Sequence, residues 1–365
     1  MSNTIQRRSF LKKAALATGA SITLPYILPS GRLFAASGQR IANHVVLCLF
    51  AGGVRNVEAI GQDCGNLLPG LMGGALGVDP AIASGIELLP ALPENSVLSH
   101  ATLFKNFRYK QGYLGHFNGH LAALTGHYSQ ESVNSTQKPL QPTLFELYRK
   151  HSGSARKNAW WVSNSLGVYP ALGCSSNTAY GVDYQAEFTR PSGNETDNWG
   201  LGTAMNSDIQ TVLKARSVIE EYQPELLVLN LQGADICHSN FTQYCNNLHK
   251  ADFAISKLWE SIQNTPGMAN NTIMIVAPEH GRDLRKNEIA DQFGQLGIDH
   301  SGDKTSREIF CMIAGSPNKV IQNQIISATS GESIDILPTI AHILGFADDI
   351  SAGMLPGRVL EEAFV

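Results

Sequence analysis

The sequence predicts an α/β domain: a mainly parallel central sheet with helices on both faces. Three observations carry this. Four apolar runs, at 44–50, 226–230, 272–277 and 309–313, are continuous rather than alternating. A strand covered on both faces reads this way because neither side meets water. Between the second and third runs, Leu248, Phe253, Ile255, Leu258 and Ile262 recur at roughly helical spacing. Strand, helix and strand in one direction require a right-handed crossover and hence parallel pairing. Finally, histidines and carboxylates cluster beside the later runs, where an open α/β sheet collects its functional groups.

Residues 1–36 differ in composition from the rest: they carry Arg7, Arg8, Lys12, Lys13 and Arg32 and no acidic residue. Twin arginines stand ahead of Phe10, Leu11 and Lys12, and a mildly apolar stretch follows, interrupted by Gly19 and Pro25. That stretch is too short and broken for a stable membrane span. It fits an amphipathic surface helix, but it more closely resembles a bacterial twin-arginine export signal. The resemblance implies passage of the folded chain through the twin-arginine translocase to the periplasm. Small residues at Ala35 and Ala36 suit cleavage, leaving one domain over 37–365.

Elsewhere the chain shows 43% hydrophobic and 16% charged residues, enough to bury a substantial core. Without the leader, 22 basic residues face 31 acidic ones, a balance of −9. This argues against a nucleic-acid partner and offers no attraction to anionic lipid. No Cys-x-x-Cys pair occurs among the six cysteines, which excludes the usual zinc knuckle and dithiol motif. Cys48 and Cys311 fall in apolar runs and read as buried thiols. Cys237 and Cys245 suit either burial or a disulfide in an oxidising compartment.

Taken in order, the first run ends in Ala51, Gly52 and Gly53, a strand meeting a tight turn. His116 and His120 lie four residues apart, on one face if the segment is helical. Trp160 and Trp161 fit core packing or an aromatic pocket. The polar, Gly-rich segment at 192–206 reads as an irregular loop. Asp235 and His238 follow the second run, Glu279 and His280 the third, and His300 precedes the last. Carboxylate and imidazole donors from several strand ends suit a divalent ion such as zinc or manganese. Surface histidines near acids are the plainer alternative.

The order of these motifs, Asp-x-x-His, acid-His-Gly and Asp-His, resembles the alkaline phosphatase and sulfatase superfamily. Two further segments share the resemblance: 122–128, similar to the stretch after the family nucleophile, and 333–360, similar to the closing helix and loop of sulfatases. It implies an alkaline-phosphatase-like fold and one or two divalent ions, zinc, manganese or calcium. Asp235, His238 and His300 match one metal site, and Glu279 and His280 match ligands of a second. The implied activity is hydrolysis or transfer on a phosphate or sulfate ester, the substrate being an anionic small molecule or a glycan ester.

The sequence departs from that pattern at three places. Ala51 stands where the first strand normally supplies an Asp ligand, and Glu279 is one methylene longer than the usual Asp. Asn56, Glu58 and Asp63 are candidates to replace the missing carboxylate. His116 falls at the nucleophile's position, as a nucleophile or metal ligand or as a helix-capping filler. Arg282 and Arg55, at strand ends, are candidates to steady the anion. The departures also fit a catalytically altered relative that binds metal and an anionic ligand, or acts as a scaffold, without turnover.

Overall fold

The computed structural model describes residues 38–61, 65–77, 83–133, 137–164 and 169–365. The expected export signal, Asp63 and Cys64 lie outside them. The first apolar run forms β1 (His44–Phe50), and the others form β5 (Leu226–Leu231), β6 (Thr272–Pro278) and β9 (Glu308–Ala314). With β2 (Ala101–Arg108), β3 (Ala159–Ser163), β4 (Glu187–Thr189) and β10 (Gln324–Glu332) they make one eight-stranded sheet. The strand order is β10, β2, β9, β6, β1, β5, β3, β4.

β1 sits between β5 and β6 and is parallel to both. β3 continues the parallel set beyond β5 and β4 beyond β3. β9 is antiparallel to both its neighbours, β6 and β2, whereas β10 is parallel to β2. The parallel direction expected for the 309–313 run is therefore corrected. A parallel return would need a crossover helix. Here the segment after β6 folds into a small hairpin, β7 (Lys286–Ala290) with β8 (Leu296–Ile298), and stays at the carboxyl edge. β9 must begin where β6 ended, so His300, just before it, stays on the same edge as Glu279.

Five helices of eight residues or more cover the sheet among the described residues: α1 (His116–Thr125), α2 (Leu144–Ser152), α3 (Ser207–Tyr222), α4 (Phe241–Gln263) and α5 (Ile336–Ile343). Alternation along β1 divides the core. Val46, Cys48 and Phe50 pack with α3 and α4, while Val45, Leu47 and Leu49 pack with α1, α2 and α5. Each such side chain contributes roughly 1.5–3 kcal/mol by leaving water, before chain entropy is counted.

Trp161 is fully buried and meets Phe145 edge-on, so both tryptophans belong to the core layers. Cys48, Cys174, Cys237, Cys245 and Cys311 are buried free thiols, and the Cys237–Cys245 disulfide does not form. Burial pushes the Cys237 thiol up to about 12, which leaves it inert. Among the described residues no helix is long and apolar enough to cross a membrane.

Candidate metal centre

Five chain segments meet at the carboxyl edge of β1, β5 and β6. After β1 the chain turns through Gly52 and Gly53, at φ 95° and 74°. A Cβ on Gly52 would lie 2.2 Å from the Asp235 amide nitrogen, and one on Gly53 would lie 2.6 Å from His280 Nδ1. Only glycine gives both the left-handed backbone and the clearance. The turn thereby lets the segments after β5 and β6 close over it, and the Gly52 amide donates to Glu279 Oε1 at 2.5 Å.

After β5 a short helical turn, Gly233–His238, brings Asp235 and His238 to one side, with Asp235 Oδ1 3.6 Å from His238 Nε2. Asp208, at the start of α3, supports that turn by accepting from the Gln232 and Gly233 amides. After β6, Glu279 and His280 are fully enclosed. His280 Nδ1 donates to the Gly281 carbonyl at 2.7 Å, which leaves Nε2 as the presented atom.

His116 is the first residue of α1 and lies at the centre. Its Nδ1 is 2.7 Å from Glu279 Oε1 and 3.2 Å from His280 Nε2, and its Nε2 is 2.9 Å from Asp235 Oδ1. His120, one turn on, approaches the other Glu279 oxygen at 2.5 Å. His300 closes the group from the segment before β9, with ring centroids 4.4 Å from His280, 4.7 Å from His116 and 5.0 Å from His238. All six residues expected to bind metal or to take the nucleophile's place are therefore brought together.

The arginines lie elsewhere than expected. Arg282 is fully buried and donates to the Gly53, Ile298 and Ala234 carbonyls, with one nitrogen 3.5 Å from Asp235 Oδ1. It braces the loops and Asp235 from behind. Arg55 pairs at 2.7 Å with Glu58, so that carboxylate is engaged away from the cluster. Two residues without an assigned role hold the site's loops and rings in place. Asp299 holds His238 Nδ1 at 2.6 Å, and Asp283 accepts from the Ser301 and Asp303 amides and the Ser301 and Ser306 hydroxyls, fixing the His300 loop. Asp299 stands next to His300 in sequence, and that adjacency was its only signal.

Charge is concentrated here. Burial opposes ionisation of Glu279, but His120 and His116 outweigh it and hold the carboxyl well below its ordinary range. Burial likewise pulls His116 down, and Glu279 and Asp235 overcome this, pushing it up to about 10. Burial lowers His300 to about 4, helped by His116 and Arg282. The cluster opens on a cavity of about 620 Å³ lined by Tyr113, Gln130, His238, Asp299, His300 and Arg307.

No protein-family model matches the chain, and no curated protein matches it. Solved structures do. A protein in the alkaline phosphatase superfamily from Vibrio parahaemolyticus aligns over 98% of this chain and 79% of its own, at 15% identity and TM-score 0.54. The fold is that of the alkaline phosphatase superfamily. The C-terminal periplasmic domain of EcEptC from Escherichia coli, in complex with Zn, aligns over 88% of this chain and 87% of its own, at 13% identity and TM-score 0.52. The 2-O glycosaminoglycan sulfatase BT1596 aligns over 87% of this chain and 73% of its own, at 14% identity and TM-score 0.50.

Within this alkaline-phosphatase-like fold the donor set can be tested against a metal. Among the described residues, two groups have ligand atoms within 4.8 Å of one another: His116, His238 and His300, and His116, Glu279 and His280. Asp235 adjoins the first through its contacts to His116 and His238. Imidazole nitrogens with a few carboxylate oxygens fit zinc or manganese. Calcium, which takes six or more oxygens, suits them poorly.

Proposed function

We propose that the chain is a metal-dependent hydrolase or transferase acting on a phosphate or sulfate ester, exported by the twin-arginine translocase and active in the periplasm. One observation carries the reading. Asp235, His238, Glu279, His280 and His300 come from three separate segments and converge on His116 beside an open cavity. A divalent ion held there would polarise ester oxygens and stabilise an ionised nucleophile at neutral pH. The chain's own groups do the positioning. Asp299 fixes the His238 ring so that Nε2 faces Asp235, and Arg282 steadies Asp235 from the buried side. Arg307 supplies a cation on the cavity wall for an anionic small molecule or glycan ester.

The test is elemental analysis of the folded, exported chain together with phosphate-ester and sulfate-ester screens. Wild type is expected to retain a transition metal and hydrolyse one ester class, and Asp235→Ala to lose metal and rate together. An unchanged rate in Asp235→Ala would sink the proposal. A second reading, metal and anion binding without turnover, is favoured by the absence of a hydroxyl or thiol at position 116. Tightly held metal with no hydrolysis in either screen would select it.

A further inference from the structure

The geometry points to His116 as an imidazolate bridge between two divalent cations, an inference that rests on the metal-dependent reading above. The two ring nitrogens serve different donor groups. Nε2 lies 2.9 Å from Asp235 Oδ1, and His238 Nε2 reaches the same oxygen at 3.6 Å. His300 joins His116 and His238 in that group. Nδ1, across the ring, lies 2.7 Å from Glu279 Oε1 and 3.2 Å from His280 Nε2, which is itself 3.4 Å from that oxygen. Donors about 2.0 Å from a tetrahedral zinc stand roughly 3.3 Å apart. The separations of 3.2, 3.4 and 3.6 Å lie near that edge. The 2.7 and 2.9 Å contacts of His116 to Glu279 and Asp235 are hydrogen-bond distances that open by about half an ångström when an ion replaces the proton.

The surrounding side chains are set for such a centre. An imidazole serving one ion normally gives its other nitrogen to a carbonyl or carboxylate that fixes the ring. His280 does so through the Gly281 carbonyl and His238 through Asp299. Glu279 is oriented the same way, with Oε2 against His120 and Oε1 towards His116. His116 differs: its two nitrogens face different carboxylates, Asp235 at Nε2 and Glu279 at Nδ1, and the ring belongs to both groups of candidate ligands. Its placement at the first position of α1 explains the reach, since the ring projects from the helix end between the two groups. A helix-capping role accounts for neither the second nitrogen nor the convergence of His238 and His300. A bridging ring has both nitrogen lone pairs engaged, so His116 is a ligand and not the attacking nucleophile.

Copper(II) reports the bridge directly, because an imidazolate couples the unpaired electrons of the ions it joins. Metal-free, folded wild-type chain is titrated with Cu(II), the ions per chain are counted by elemental analysis, and the spins are counted by electron paramagnetic resonance. The expected result is about two ions per chain with a signal well below that of two isolated ions, as befits a nitrogen-rich site for copper. His116→Ala should abolish the coupling, so that every remaining ion gives its full signal. His238→Ala, whose ring meets the Nε2 group through Asp235 and is held by Asp299, should lower occupancy to about one ion with full signal and serves if the first variant does not fold. Two uncoupled ions in the wild type, a single ion, or coupling that survives loss of His116 would each overturn the bridge while leaving a metal centre in place. Failure to bind any ion would overturn the metal-dependent reading as well.

Discussion

At His238 a carboxylate does for an imidazole what the sequence pattern alone does not show. Asp299 accepts from Nδ1 at 2.6 Å and is itself held by the Asn287 amide at 3.2 Å, so the ring is locked with Nε2 towards Asp235. Removing that partner frees both tautomer and orientation. Asp299→Ala is expected to weaken metal retention roughly 10–100-fold, measured by chelator competition, with little change in melting temperature. Retention equal to wild type would show that the pair is only a surface contact. Asp235, His238, Glu279 and His280 were legible because each follows an apolar run at a strand end, whereas His116, at the start of a helix, was legible through its spacing to His120 and the family resemblance. The roles of Arg282 and Arg55 were not, because a sequence shows that an arginine is near a strand end but not which way it turns. Arg282 turns inward to three carbonyls, and Arg55 is held by Glu58.

At the level of elements, the runs with continuous apolar character gave β1, β5, β6 and β9 to within a residue or two of their observed ends. β2 was harder to see, because Lys105, Asn106 and Arg108 interrupt it, and β10 is an exposed edge strand. The direction of β9 depends on the hairpin before it, a tertiary fact without a local signature. α1 shows a different constraint. Gly119 lies between His116 and His120 in sequence, and a Cβ there would sit 2.7 Å from both the Glu279 Cβ and its carbonyl oxygen. Glycine costs a helix interior roughly 0.5–1 kcal/mol relative to alanine, yet here it sets how closely α1 approaches the end of β6. Gly119→Ala should therefore destabilise by about 1–3 kcal/mol rather than stabilise, since the obstacle is backbone. It should also reduce metal occupancy by displacing His116 from Glu279. Urea unfolding and elemental analysis read the two effects, and a stabilised, fully loaded variant would contradict the packing argument.

Across the whole molecule, the sheet separates two apolar layers, and polar groups buried on the covering helices make stability depend on pH. His249, on α4, is one such group outside the candidate ligands: it is 5% exposed, and its Nδ1 has no hydrogen-bond partner. Burial, aided by the charge of Lys250, lowers its pKa from the usual 6.5 to about 4. The unfolded chain thus takes up a proton near pH 6.5 that the folded chain refuses until about pH 4. Where the unfolded state binds more protons, stability falls as pH falls. The contribution is fully present above pH 6.5 and is lost progressively between pH 6.5 and 4. One pKa unit corresponds to about 1.4 kcal/mol, so the loss by pH 4 amounts to roughly 3 kcal/mol. His249→Gln removes this titration while keeping a polar side chain. The stability advantage of wild type over the variant should shrink by about that amount between pH 7 and pH 4, by denaturant unfolding at each pH. A constant difference across the range would mean that His249 is solvated and ionises in the folded chain as freely as in the unfolded one. Acid sensitivity would then have to arise at the carboxylates, Glu279 foremost, whose ionised form is held by His116 and His120.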